Sequence, residues 1–176
     1  MTKKINGIML ALALLPAVAS ASHWGYEGIE SPEHWAELNK DWEQCQKGQN
    51  QSPVDIRQTF QAHVRPLKTF YTSSPDLLLN NGHTIQATWS DEDKASYIKL
   101  DDEKFTLRQF HFHAPSENTV NGKHYPLEMH LVHQNDDGEI AVVAVMFEVG
   151  AVNAELEKLW MVMPDHADKS SPLTVN

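Results

Sequence analysis

The chain has 176 residues, a formal net charge of −10, ten histidines and one cysteine. That length suggests one domain, and so acidic a surface is a poor match for nucleic acid, whose phosphates attract Lys and Arg. The charge favours solubility and is silent on fold.

Lys3 and Lys4 precede an apolar run from Ile8 to Val18, and Ala19-Ser20-Ala21 follows as a small-residue cleavage site. A positive start, a short apolar centre and an A-x-A end describe a secretory signal peptide. The run is too short to span a bilayer as a stable helix. Residues 1–21 are therefore expected to be removed, leaving an exported, periplasmic or secreted domain over 22–176 that does not hold to the membrane. Loss of the two lysines takes the charge from −10 to −12. The single Cys45 is then an odd thiol in an oxidising compartment, either buried and inert or lacking a partner.

Ser31-Pro32-Glu33 reads as an N-cap, a first-turn proline and a first-turn acid, predicting a short helix to about Leu38. Residues 46–53 read as a loop. From Leu77 the signals are mostly β. Leu77 to Leu79 leads through the turn Asn81-Gly82 into a strand from His83 to Trp89. Phe105 to His113 alternates, which places Phe105, Leu107, Gln109, His111 and His113 on one face. Leu127 to Gln134 is a second such strand, joined by the turn Asp136-Asp137-Gly138 to the apolar run Ile140 to Val149. That run predicts a central strand buried on both faces. Asn153 caps a last helix to Met161, with Leu156, Leu159 and Trp160 facing the core. The fold class is mostly β (α+β): one domain with a central, largely antiparallel twisted sheet and short peripheral helices.

His111 and His113 stand two apart on a strand, so both imidazoles project from one face. Glu128 and His130 repeat that spacing on the next strand, adding a third imidazole and an acid. Three neutral nitrogens around Zn2+ leave a fourth tetrahedral position to solvent, the pattern of a catalytic site. Imidazole without thiolate suits zinc, although cobalt or copper would accept the same donors. A lone H-x-H is often only a polar pair on a half-exposed strand; the third histidine beside an acid is what makes a metal the better reading.

Gln109-Phe110-His111-Phe112-His113, Ser116-Glu117 and Glu128-Met129-His130-Leu131-Val132-His133 resemble the zinc-site strands of alpha-type carbonic anhydrases. His23-Trp24-Gly25-Tyr26, Pro32-Glu33-His34-Trp35, Gln51-Ser52-Pro53-Val54-Asp55-Ile56, Asn80-Asn81-Gly82-His83 and Ala141 to Phe147 match in order. Together these segments cover nearly all of residues 22–164, and the signal peptide and short link to Glu117 look like the bacterial branch.

The resemblance implies zinc-dependent, reversible hydration of carbon dioxide to bicarbonate and a proton. It implies His111, His113 and His130 as ligands, oriented by Gln109 and Glu128. Val132 and Val142 would line the CO2 pocket, His83 would carry protons away, and Glu117 would hold a threonine that orients the nucleophile. Tyr26 would join the solvent network, with Asn80 and Gln86 in the same polar wall. His23, His34, His63, His124, His133 and His166 are read as exposed or hydrogen-bonded structural residues. The family continues well beyond Leu159 to Pro164, whereas this sequence stops at Asn176. The expectation is thus a domain without its C-terminal strands, the threonine partner of Glu117 or the disulfide partner of Cys45. Its activity would be much reduced or lost, and the alternative reading is a zinc-binding relative without turnover.

Overall fold

The computed structural model describes residues 23–173; the segment read as a signal peptide lies outside them. Residues up to Gln51 and those from Ser52 onward form two compact units. No helix among the described residues is long and apolar enough to cross a membrane.

The first unit is a chain of short turns. Single 3-10 turns over Gly28–Glu30 and Pro32–His34 run into α1 (Trp35–Leu38), and a third over Lys40–Trp42 precedes α2 (Gln44–Lys47). Proline opens the helical stretch after Ser31 as expected, but that serine does not cap. Its hydroxyl donates instead to Glu33 Oε2 at 2.7 Å, which leaves the first turn in tighter 3-10 form. Trp35 ties the unit together, its Nε1 donating to the carbonyls of Gly25 at 3.0 Å and Glu30 at 2.8 Å.

The second unit holds the sheets. In chain order the strands are β1 (Asp55–Ile56), β2 (Lys68–Phe70), β3 (Leu77–Asn80), β4 (Ile85–Thr88), β5 (Tyr97–Leu100) and β6 (Glu103–His113). They continue with β7 (Thr119–Val120), β8 (Lys123–His124), β9 (Leu127–Gln134), β10 (Ile140–Phe147) and β11 (Lys169–Pro172). An eight-stranded, wholly antiparallel sheet runs β10-β9-β6-β4-β3-β11, with β5 also on β6 and β2 on β5. A small second sheet pairs β1 parallel to β7 and β7 antiparallel to β8. Asp55 joins its strands: it accepts from the Gly122 N–H and the Thr119 hydroxyl, both at 2.8 Å, and pairs with Arg57. Those partners, the Gly122 N–H foremost, hold its pKa down to about 2.

One face of the large sheet is the core. Leu78, Ala87, Phe112, Leu159 and Leu173 are buried there, with Phe110, Leu127, Met129 and Leu156 packed against them. The helix α3 (Ala154–Val162) covers this face, and the Asn153 side chain caps it by accepting from the N–H groups of Glu155 and Leu156. Leu159 is buried as expected, while Trp160 stays 40 % exposed and meets Phe112 edge-on at 5.0 Å between ring centroids.

Three sequence expectations are corrected. The strict alternation along β6 breaks at a bulge: the register on β9 shifts between Leu107, opposite His133, and Gln109, opposite Val132. One extra residue on the bulged strand reverses the side-chain phase, so Leu107 packs in the core with Trp89 and Leu131 rather than sharing the face of Gln109. The apolar run of β10 is not central. It ends the described sheet, with Ile140 64 % and Val142 51 % exposed. The strand after Asn81-Gly82 starts at Ile85 rather than His83, because the Asn81 side chain accepts from the N–H groups of His83 and Thr84 and draws both into the turn.

Candidate metal centre

The site lies on the other face of the sheet, and the register assembles it in rows. Gln86, His111, His130 and Ala144 stand side by side on β4, β6, β9 and β10. Thr88, Gln109, Val132 and Val142 form the row on one side; His113, Glu128 and Met146 form the row on the other. Period-two geometry and pairing of β6 with β9 thus bring the three imidazoles together without any loop doing the positioning.

Their ligand nitrogens all lie within 4.8 Å of one another. The rings stand 4.9 Å (His111–His113), 5.3 Å (His111–His130) and 4.7 Å (His113–His130) apart between centroids. His111 Nδ1–H donates to Gln109 Oε1 at 2.8 Å, which leaves Nε2 as its bare nitrogen. His130 turns Nε2 to Glu128 Oε1 at 2.9 Å, a charge contact off the line of an ideal hydrogen bond, and presents Nδ1 to the site. Gln109 and Glu128 thus each stand against one of the three imidazoles.

Burial favours the neutral form of His111 and His113. It lowers the pKa of His111 to about 4, with the neighbouring His113 and His130 adding to the effect, and it pushes His113 down as well. Glu128 is fully buried, and that burial works to raise its pKa. The hydrogen bonds from Asn118 outweigh it: the backbone N–H reaches Oε2 at 3.0 Å and the side-chain amide Oε1 at 2.6 Å, so Glu128 stays below the usual carboxylate range. Imidazole nitrogens facing inward, with an ionised acid behind one of the rings, fit a divalent ion.

Asn118 was not anticipated. It reaches Glu128 across ten residues and also accepts from the Val54 N–H, and no local spacing in the sequence signals either bond. Glu117, beside it, brings Oε2 to 3.4 Å from His113 Nε2 and 3.8 Å from His130 Nδ1. Val132 is half-buried and Val142 exposed, next to each other beside the ligands. His83 is exposed before β4, and Gln86 faces Thr88, donating to its hydroxyl at 3.1 Å. Asn80 directs its amide to the Pro164 carbonyl and its oxygen to the Gly82 N–H, both at 3.0 Å. Tyr26 belongs to the first unit, in a ring cluster with Trp24 and Trp35. His133 is buried, bonded to the Tyr71 hydroxyl and the Ala141 carbonyl. Cys45 is an exposed free thiol.

An antiparallel sheet with three strand-borne imidazoles, each set to give one nitrogen to a common point, defines a zinc protein of the three-histidine class. The family model of eukaryotic-type carbonic anhydrase matches residues 30–175, and the chain belongs to that family, in which this triad is the zinc site. It is 55 % identical to a carbonic anhydrase of Klebsiella pneumoniae over 94 % of this chain and 67 % of that protein. It is 44 % identical to one from Pectobacterium carotovorum over 93 % of this chain and 66 % of that protein. Among solved structures, alpha-carbonic anhydrase of Thermovibrio ammonificans in complex with sulfanilamide superposes with a TM-score of 0.82 at 45 % identity, over 89 % of this chain and 69 % of that one. The chain thus spans about two thirds of the length of the relatives it matches.

Proposed function

We propose that this chain carries the zinc centre of an enzyme for the reversible hydration of carbon dioxide to bicarbonate and a proton. The observation that supports it most is the gathering of His111, His113 and His130, with Gln109 and Glu128 behind them, in a chain whose relatives are carbonic anhydrases. Bound zinc lowers the pKa of coordinated water to about 7 and so supplies a nucleophile at neutral pH; carbonic anhydrase is the type case of that effect.

The chain's own residues would do the rest. Gln109 and Glu128 fix the ring orientations of two ligands and make their inward nitrogens better donors. Val132 and Val142 give an apolar floor beside the ligands, suited to a substrate with no net dipole. The exposed His83 would pass protons on to solvent. Gln86, between the ligands and that histidine in sequence, supplies a polar wall. We also infer that residues 1–21 direct export to the periplasm or beyond, on the strength of Lys3, Lys4, the Ile8 to Val18 run and Ala19-Ser20-Ala21.

A second reading, a zinc protein with little or no turnover, is favoured by one feature: the Glu117 carboxylate leans on the inward nitrogens of two ligands. Stopped-flow CO2 hydration on protein of known zinc content separates the two. The enzyme reading expects a rate above that of the metal-free protein and proportional to bound zinc. One zinc per chain with no acceleration would leave only the second.

A further inference from the structure

We propose that a row of three lysines, at the opposite end of β6 from His111 and His113, binds an extended acidic polysaccharide, a chain with a carboxylate or sulfate on successive sugars.

The register puts Lys68 of β2 opposite Lys99 of β5, and Lys99 opposite Lys104 of β6. The three stand side by side on one face of the sheet, with Phe70, Tyr97 and Thr106 as the next row on that face. Ile98 and Phe105, at the alternate positions, are buried. Like charges directly opposite on neighbouring strands repel, and Lys99 has such a neighbour on each side.

Among the described residues no carboxylate pairs with any of the three, because the nearby acids are engaged elsewhere. Asp101 and Asp102, in the turn between β5 and β6, are both held by Arg65, whose Nη2 lies 2.8 Å from Asp101 Oδ1. Asp136 is engaged by Lys94 at 3.4 Å. Glu103 falls on the opposite face from Lys104 and accepts from the Asn135 amide. Lys104 Nζ sits 4.3 Å from the centroid of the Tyr97 ring and donates to the Lys94 carbonyl at 3.0 Å. A chain of net charge −10 thus carries one uncompensated line of cations.

The shape of that line selects the ligand. Neighbouring strands lie about 4.8 Å apart, close to the length of one sugar ring in an extended chain, so a glycan crossing the strands meets one ammonium per sugar. The Phe70 and Tyr97 rings, stacked at 4.6 Å, run beside the row and give the C–H faces of the sugars an apolar border. Lys68 and Lys99 also line a cleft of about 90 Å³ with Arg65 and Leu67, which gives room for one anionic substituent. The patch is only one row wide. Just past it the Asp101 and Asp102 side chains are 81 % and 70 % exposed, so a flat anionic surface such as a bilayer would press against them. A linear chain lies along the row and avoids them. Acidic groups farther off are screened beyond about 8 Å at physiological salt, so the local charge decides the contact.

Titration of the protein with a heparin hexasaccharide at low salt tests this site. Binding is expected, fading as salt rises, with none to the neutral maltohexaose. Lys68→Gln, Lys99→Gln and Lys104→Gln combined should weaken it about tenfold or more, as expected for the loss of three exposed ion pairs. Lys40→Gln, Lys123→Gln and Lys169→Gln combined remove the same charge elsewhere and should change affinity less than about twofold. Lys99→Gln alone relieves the cross-strand repulsion, so without ligand it should resist urea at least as well as the parent. It should still bind the hexasaccharide about threefold more weakly, which decides the matter if the triple variant does not fold. Equal weakening by the two triple variants, or no binding of the hexasaccharide by the parent, would overturn the proposal. So would tighter binding to phosphatidylglycerol vesicles or to tripolyphosphate, which would assign the row to a lipid surface or a free phosphate.

Discussion

Replacing His130 with alanine lowers zinc affinity by about a hundred- to a thousandfold while the protein stays folded. Structural zinc sites with four protein ligands bind with about 10–16 kcal/mol of apparent free energy, so one ligand accounts for roughly 2.5–4 kcal/mol. The ring sits on the site face of β9 rather than in the core, where Leu131 and His133 point, so its removal opens no large cavity. Competition with a chromophoric chelator measures the change. A loss below about tenfold would mean that the histidines bind zinc loosely and interchangeably, since even a residue that only orients a ligand is worth about 10–100-fold.

Glu128→Leu is expected to damage both stability and metal binding, and Glu128→Gln mainly the second. The carboxylate is wholly buried and satisfies two donors of Asn118 as well as facing His130. Leucine leaves both Asn118 donors without an acceptor, at about 1–3 kcal/mol each, so metal-free Glu128→Leu should unfold roughly 2–6 kcal/mol more easily in urea. Glutamine keeps an acceptor oxygen for one donor and fills the same space, but it removes the charge behind His130; zinc affinity should fall about 10–100-fold with a smaller loss of stability. A leucine variant within about 1 kcal/mol of the parent, below the cost of one unsatisfied donor, would show that the Asn118–Glu128 link does not brace the site.

Much of this site was legible because strands are simple. Residues two apart share a face, so the spacing of His111 with His113 and of Glu128 with His130 carried the geometry, and pairing of β6 with β9 did the rest. The same rule misplaced Leu107, since a single inserted residue resets the phase and nothing in Leu107-Arg108-Gln109 announces it. The apolar run of β10 signalled burial on two faces, yet a run of apolar residues cannot say which neighbours a strand will have. β11, with the sequence Lys169-Ser170-Ser171-Pro172, has almost no strand signature and owes its form to pairing with β3. Asn118 and the approach of Glu117 were hidden for a related reason: both act across the fold, through contacts that no local period encodes.

Zinc K-edge X-ray absorption on protein loaded with one equivalent is the most direct test that three strand-borne histidines share one metal. The expected sphere holds three imidazole nitrogens at about 2.0–2.1 Å and one further oxygen. Fewer than three imidazoles around the metal, or zinc spread over several sites in the chain, would contradict it.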